Sequence, residues 1–226
     1  MLMTITADLH GSQVQLVRLL TQLPKEGEHI ILICGDAGFL FTDLDFEHRF
    51  LEELESLENI TIAFVDGNHE NFPAIERCPI ETWNGGKVHR LCKNMLHLMR
   101  GEVFTIGSKS FFAMGGAYSI DRAGRECNVT YWEKELPSEE EMKQALDNLA
   151  RHNFSVDYII THTAPKFVYA ELGIDPHEEE VPFLDFLNEL YFKVDFKHWY
   201  CGHHHIDRRF DQKLTILRRI TENILI

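Results

Sequence analysis

Five short apolar runs punctuate the chain, and each stops on polar residues. Leu2 to Ala7 meets Asp8-Leu9-His10, Ile30 to Cys34 meets Gly35-Asp36, and Ile60 to Val65 meets Asp66-Gly67-Asn68-His69-Glu70. Tyr158 to Ile160 meets Thr161-His162, and His198 to Cys201 meets Gly202-His203-His204-His205. Short β-branched-rich runs closed by glycine or turn formers predict buried strands. Between them the apolar spacing is helical. Ser12 to Gln22 gathers Val14, Leu16, Val17 and Leu20 near one face behind a Ser12 cap, and Phe46 to Leu57 repeats Phe46, Phe50, Leu54 and Leu57. Ser138 to Arg151 opens on Ser-x-x-Glu, a capping box, and repeats Met142, Ala145, Leu146 and Leu149. Strands alternating with helices predict an α/β fold, a sheet covered by helices. Ligands of such sheets gather at the carboxyl ends of the strands, where all five polar clusters fall.

The segment from about Cys78 to Pro137 reads differently. Its alternating stretches, Glu102 to Ile106 and Ser110 to Met114, and its glycine pairs, Gly85-Gly86 and Gly115-Gly116, predict hairpins and loops that partly cover the site. Asp207 to Ile226 reads as a hairpin turning near Asp211-Gln212-Lys213. No repeat, low-complexity tract or flexible linker interrupts the chain, so residues 1–226 are expected to form a single domain.

Composition narrows the partners. With 36 acidic and 22 basic side chains the formal charge is −14, which argues against long nucleic acids and membrane surfaces. The five cysteines are odd in number and include no CxxC pair, so neither a disulfide framework nor a zinc knuckle is expected. The first residues lack a basic leader, and no apolar run approaches the ~20 residues that span a bilayer. A cytoplasmic location is the expectation. The 13 histidines are the unusual feature, and five of them, His10, His69, His162, His203 and His205, are candidates for roles at the strand-end clusters.

In an extended segment, residues two apart face the same way. Asp8 with His10, and His203 with His205, can then each reach one ion, while His204 should face away. One histidine at a strand end means little; five histidine- or aspartate-bearing clusters on one edge predict a shared metal site.

The order Asp-x-His, Gly-Asp, Gly-Asn-His-Glu, a lone His after a strand and Gly-His-x-His resembles the calcineurin-like metallophosphoesterase superfamily, in a match running from Asp8 to His205. The resemblance implies a four-layer αββα sandwich, two mixed β-sheets flanked by helices, with the metal site at the strand C-terminal ends. It implies one divalent ion on Asp8, His10, Asp36 and His205, and a second on Asp36, Asn68, His162 and His203, so that Asp36 bridges them. Two ions about 3.5–4 Å apart share a water, lower its pKa and clamp phosphoryl oxygens, so that a metal-bridged hydroxide attacks phosphorus. A nitrogen-and-oxygen ligand set without thiolate suits Mn²⁺ foremost, with Fe²⁺ or Zn²⁺ also admitted. His69 is implied as proton donor to the leaving alkoxide, a role its ordinary pKa near 6.5 suits. Glu70 reads as a helix-start or supporting residue. Asp66 reads either as a carboxylate orienting a ligand histidine or as a solvated turn residue.

The chain also departs from the family. After Gly35-Asp36 it continues Ala37-Gly38, without the Asp-Arg pair of the protein serine/threonine phosphatase branch. A monoester dianion needs another cation. The run Gly115 to Arg125, similar to one in small bacterial and phage-borne members, offers Arg122 or Arg125 as a fork onto phosphate beside Asn68. Either arginine could instead pair locally with Asp121 or Glu126. Tyr131 and Trp132 could line a pocket or pack in the core. Cys34 and Cys201 are expected in the core, Arg208-Arg209 and Arg218-Arg219 on solvated strand faces, and His177 to Glu180 in a surface loop.

The expected function is a dinuclear metal-dependent phosphoesterase, a phosphomonoesterase first, acting on a small phosphate ester or a phosphoprotein. The alternatives are a phosphodiesterase or nuclease on nucleotides, which needs less cationic help, and a non-catalytic interaction module. The module should have lost some ligands, and none is missing. A metallo-β-lactamase-like hydrolase would need a His-x-His-x-Asp-His run, which does not occur.

Overall fold

A computed structural model describes residues 1–226. The first third alternates strands and helices as β1 (Leu2–Thr6), α1 (Gln13–Gln22), β2 (His29–Cys34), α2 (Asp45–Leu54), β3 (Ile60–Val65) and α3 (Phe72–Glu76). Five strands follow in succession: β4 (Ile80–Trp83), β5 (Gly86–Cys92), β6 (Met95–Leu98), β7 (Val103–Ile106) and β8 (Lys109–Met114). The chain closes with α4 (Glu139–Arg151), β9 (Tyr158–Thr161), α5 (Lys166–Leu172), α6 (Val181–Lys193), β10 (His198–Cys201), β11 (Arg208–Phe210), β12 (Leu214–Ile216) and β13 (Glu222–Leu225).

These strands form two mixed sheets, ordered β13-β1-β2-β3-β6-β5-β4 and β11-β12-β10-β9-β8-β7. Each has four parallel central strands, β1-β2-β3-β6 and β12-β10-β9-β8, with antiparallel strands outside them. The alternation within single strands explains the layering. Along β2, Ile30, Leu32 and Cys34 face the opposite sheet, while Ile31 and Ile33 face α1, α2 and α3. Along β8, Phe111 and Ala113 face inward, while Phe112 and Met114 meet α4, α5 and α6. Buried on both faces, β2 is a continuous apolar run, as parallel central strands require. The result is the expected four-layer sandwich. No helix is long and apolar enough to cross a membrane.

Two helices follow their sequence signals closely. Ser12 accepts from the Gln15 amide as the cap of α1, and Ser138 and Glu141 form a reciprocal capping box on α4. The seam of α1 differs from the expected one: Val14 and Val17 are exposed, and Leu16, Leu19, Leu20 and Leu23 pack on the sheet. The i, i+3, i+4, i+7 leucine stripe wins because it buries longer side chains along one line. In α2, Phe50, Leu51 and Leu54 are buried, whereas Phe46 is half exposed.

The loop after β6 holds a buried ion pair. Arg100 donates to Asp66 Oδ2 (2.6 Å) and to the Lys134 carbonyl (2.7 Å), and His97 Nε2 donates to Asp66 Oδ1 (3.1 Å). Asp66 thus orients no ligand histidine and is not solvated. Burial alone would raise its carboxyl pKa, but Arg100 and His97 hold it well below the usual range. Arg100→Met is expected to destabilise the protein by about 3–5 kcal/mol, because Asp66 would keep a buried charge with its main partner gone. Denaturant unfolding would measure this, and a loss under about 1 kcal/mol would contradict it.

Candidate metal centre

The strand ends at the carboxyl edge of both sheets converge. β1 leads to Asp8 and His10, β2 to Asp36, β3 to Asn68 and His69, β9 to His162, and β10 to His203 and His205. One ligand atom each from Asp8, His10, Asp36 and His205 lies within 4.8 Å of the others. His10 Nε2 and His205 Nε2 approach to 3.2 Å, and Asp36 Oδ2 lies 3.7 Å from His10 Nδ1. On the other side Asp36 Oδ2 is 3.4 Å from His162 Nε2. Asn68 Oδ1 lies 3.0 Å from His162 Nε2 and 3.1 Å from His203 Nδ1. All seven candidate ligands are thus gathered into two groups that meet at Asp36.

The backbone that achieves this is not extended. Asp8, His10, Asp36, His203 and His205 all have φ between +47° and +66°. Asp8 and His10 still bring ligand atoms into one cluster, though not through an extended backbone, whereas His203 and His205 part company. His203 faces Asn68 and His205 faces Asp8 (3.7 Å), because left-handed residues turn the chain at each step. Such conformations cost about 1–3 kcal/mol each and survive where surroundings over-determine them. His204 turns to pack edge-on against Tyr169. Two glycines are required by close approach. A Cβ on Gly67 would lie 2.1 Å from Asp36 Oδ1, and one on Gly35, at φ +81°, would lie 2.2 Å from His162 Nδ1.

Hydrogen bonds outside the ligands fix their roles. The Cys34 carbonyl only accepts, so His162 Nδ1 carries the hydrogen (2.9 Å) and Nε2 is turned toward Asp36. The His69 amide donates to Asp36 Oδ1 (2.8 Å), and Glu70 accepts from the Ala37 (2.7 Å) and Gly38 (3.3 Å) amides. Glu70 therefore locks the loop that follows Asp36.

The cluster is electrostatically frustrated without a cation. Asp8 Oδ2 is buried with no hydrogen-bond partner, and burial pushes the Asp8 carboxyl up to about 6. Burial pushes His10 down to about 4 and His203 well below its usual value. Burial works against charge on Asp36 and His162 too, yet their mutual attraction prevails: Asp36 lies well below the carboxylate range and His162 rises to about 9. A proton on His162 thus partly supplies the positive charge. An orphaned carboxylate oxygen, converging imidazoles and an amide oxygen, without thiolate, fit divalent metal ions.

Of the two candidate arginines, only Arg125 reaches this edge. Its guanidinium lies 3.1 Å from His69 Nε2 and 2.7 Å from Asp121. Arg122 is turned elsewhere: it pairs with Glu135 (3.2 Å) and Glu179 (3.1 Å) and lies over the Tyr118 ring. Trp132 is core, packed against Phe41 and Phe72.

Several supporting residues escaped the sequence reading. Ser119 Oγ accepts from Asn68 Nδ2 (2.9 Å), which directs Asn68 Oδ1 at the histidines. Its only sequence signal was the Gly-Gly-Ala-x-Ser run. Glu180, expected at the surface, is buried and accepts from Tyr169 Oη (2.9 Å) and the Tyr118 amide (3.3 Å). Arg218, expected on a solvated face, donates to the Asp8 carbonyl (2.7 Å). No spacing rule marks either residue. Ser119→Ala is expected to weaken metal binding about 10–100-fold, since residues behind metal ligands have effects of that size. Calorimetric Mn²⁺ titration would show it, and unchanged affinity would contradict the orienting role.

The calcineurin-like phosphoesterase family profile matches residues 1–207. In structure, the chain is similar to the phosphopantetheinyl hydrolase PptH from Mycobacterium tuberculosis, at 14% identity over 96% of this chain and 89% of that one, with a TM-score of 0.49. No curated protein matches the sequence. The profile match takes in every strand end from Asp8 to His205, and the chain belongs to the calcineurin-like phosphoesterase family.

Proposed function

We propose that the chain is a metal-dependent phosphoester hydrolase in which Asp8, His10, Asp36 and His205 hold one divalent ion and Asp36, Asn68, His162 and His203 a second. The observation that carries this reading is the convergence of Asp8, His10, Asp36 and His205 around an unpartnered, buried Asp8 oxygen. When bound, such ions supply a nucleophilic water near neutral pH and a positive clamp on the phosphoryl oxygens. Mn²⁺ is the first candidate, with Fe²⁺ and Zn²⁺ behind it.

Arg125 and His69 divide the remaining work. A guanidinium only donates, so His69 Nε2 is the acceptor at 3.1 Å. Burial and then the Arg125 charge hold the His69 pKa down, against the pull of Asp36. A substrate phosphate that draws Arg125 onto its own oxygen relieves His69 of that cation. His69 then holds a proton more readily and passes it to the leaving alkoxide. Asn68, fixed by Ser119, can serve phosphate as well as metal.

A phosphomonoesterase is the reading the sequence puts first, and the cavity of about 400 Å³ beside Arg125 suits a small ester. A phosphodiesterase is the second reading, favoured by a specific observation: two cavities meet at His69. The general reading is tested by stripping metal with a chelator, adding back Mn²⁺, Fe²⁺ or Zn²⁺ singly, and assaying p-nitrophenyl phosphate and its bis ester. Turnover should vanish without metal and return with it. No hydrolysis in any loaded form would refute the proposal.

A further inference from the structure

His69 forms a wall common to two cavities. The one that carries the charged groups, Asp36, Asp121, Arg125 and Asp175, is about 400 Å³ and has Ile120 and Ile174 in its wall as well. The other, about 350 Å³, opens toward the β2–α2 loop. Phe39, Phe41, Phe46 and Phe50 line it, and His10 with His69 closes it at the metal centre. Phe39 and Phe50 are buried with ring centroids 5.5 Å apart, while Phe46 presents half its surface to solvent. Its one carboxylate, Glu47, is consumed by the amides of Phe41 (3.1 Å), Thr42 (3.0 Å) and Asp43 (2.7 Å). The second cavity is therefore aromatic and free of unpaired charge, yet it shares a wall with the proton donor.

We infer that the substrate is a small phosphodiester, its phosphate at the metal centre, one alcohol in the charged cavity and the other, an uncharged aryl or alkyl group, among the phenylalanines. The inference rests on the phosphoester hydrolase reading and takes the diester, the second of its two substrate readings. A monoester has one alcohol and fills one cavity; a diester fills both. Charge points the same way. A diester carries a single negative charge, and the one guanidinium lining either cavity, Arg125, already has Asp121 as counter-ion. Asp121 and Asp175 on the charged wall, with no lysine in either cavity, disfavour a long polyanion. The step is balanced: water adds oxygen to phosphorus, the bond to one alcohol breaks, and the proton leaving water offsets the one His69 gives that alcohol. The products are a monoester and an alcohol.

The test uses the full chain loaded with Mn²⁺ and three esters with a common leaving group: p-nitrophenyl phosphate, methyl p-nitrophenyl phosphate and phenyl p-nitrophenyl phosphate. The phenyl diester is expected to exceed both others in kcat/KM, and the methyl diester by about tenfold or more, the discrimination an apolar pocket commonly provides. In Phe46→Ala the phenyl-to-methyl ratio should fall toward one, and Phe46→Leu should keep more of it. Phe46 is half exposed, so both variants should fold, which a thermal melt checks. A monoester preferred over both diesters, or a ratio indifferent to Phe46, overturns the two-armed substrate and leaves the hydrolase reading standing. No hydrolysis of any ester with any divalent metal overturns both.

Discussion

Asp36→Asn is expected to lower turnover about 10⁴-fold, equivalent to about 5.5 kcal/mol of barrier, and to reduce bound metal below two ions per chain. The size follows from position. Asp36 Oδ2 is the one oxygen that faces both groups of ligands, 3.7 Å from His10 Nδ1 and 3.4 Å from His162 Nε2. Asparagine preserves the volume and can still accept from the His69 amide through Oδ1, so the loop should hold. Its NH₂ group, however, presents hydrogens where an anionic oxygen stood and cannot bridge two cations. The carboxylate is also what stabilises a proton on His162, so the variant should lose the raised His162 pKa. Metal analysis beside kcat on p-nitrophenyl esters checks this. Two ions per chain with turnover within tenfold of the parent would remove Asp36 as the bridge.

His69→Asn should act differently, slowing turnover of an alkyl ester about 10²–10⁴-fold while metal content stays at the parent's value. The His69 side chain touches Arg125 and lies edge-on to His10, with ring centroids 5.1 Å apart, but is absent from the four-ligand cluster. A missing proton donor hurts most when the leaving alkoxide is basic. The deficit should therefore be small for p-nitrophenolate, larger for phenolate and largest for an alkyl alcohol. A uniform deficit across that series would instead mark a positioning role, and a variant as fast as the parent would end the assignment. The contrast between the variants matters: one loses the ions and the other loses a proton.

Much of this protein was legible in its sequence because the information is local. The apolar runs at Ile30–Cys34 and Ile60–Val65 are strands by composition alone, since burial on both faces leaves no room for polar side chains. The capping residues Ser12 and Ser138 announced their helices through short-range hydrogen bonds. The ordered motifs from Asp8 to His205 identified the family because each occupies the turn directly after its strand. Glycine belongs beside Asp36 and Asn68 for a reason visible only in space, the absence of room for a Cβ at Gly35 and Gly67.

Tertiary structure decided what depends on residues far apart in the chain. The pairing of β8 parallel to β9 carries the Gly115 to Arg125 run to the metal edge, and no periodicity within that run foretells the pairing. It then separates two arginines three positions apart: Glu135 and Glu179 claim Arg122, while Arg125 is left beside His69. Glu180 looked like one acid in a charged loop until Tyr169 and Tyr118 enclosed it. The leucine seam of α1 and the solvent-facing Phe46 likewise follow from where the sheet lies. The sequence by itself determined the strands, the family and the kinds of ligand, because those rest on neighbours along the chain. Which charges remain free at the centre, and which spaces open beside it, was decided by packing between segments that meet only once the two sheets close.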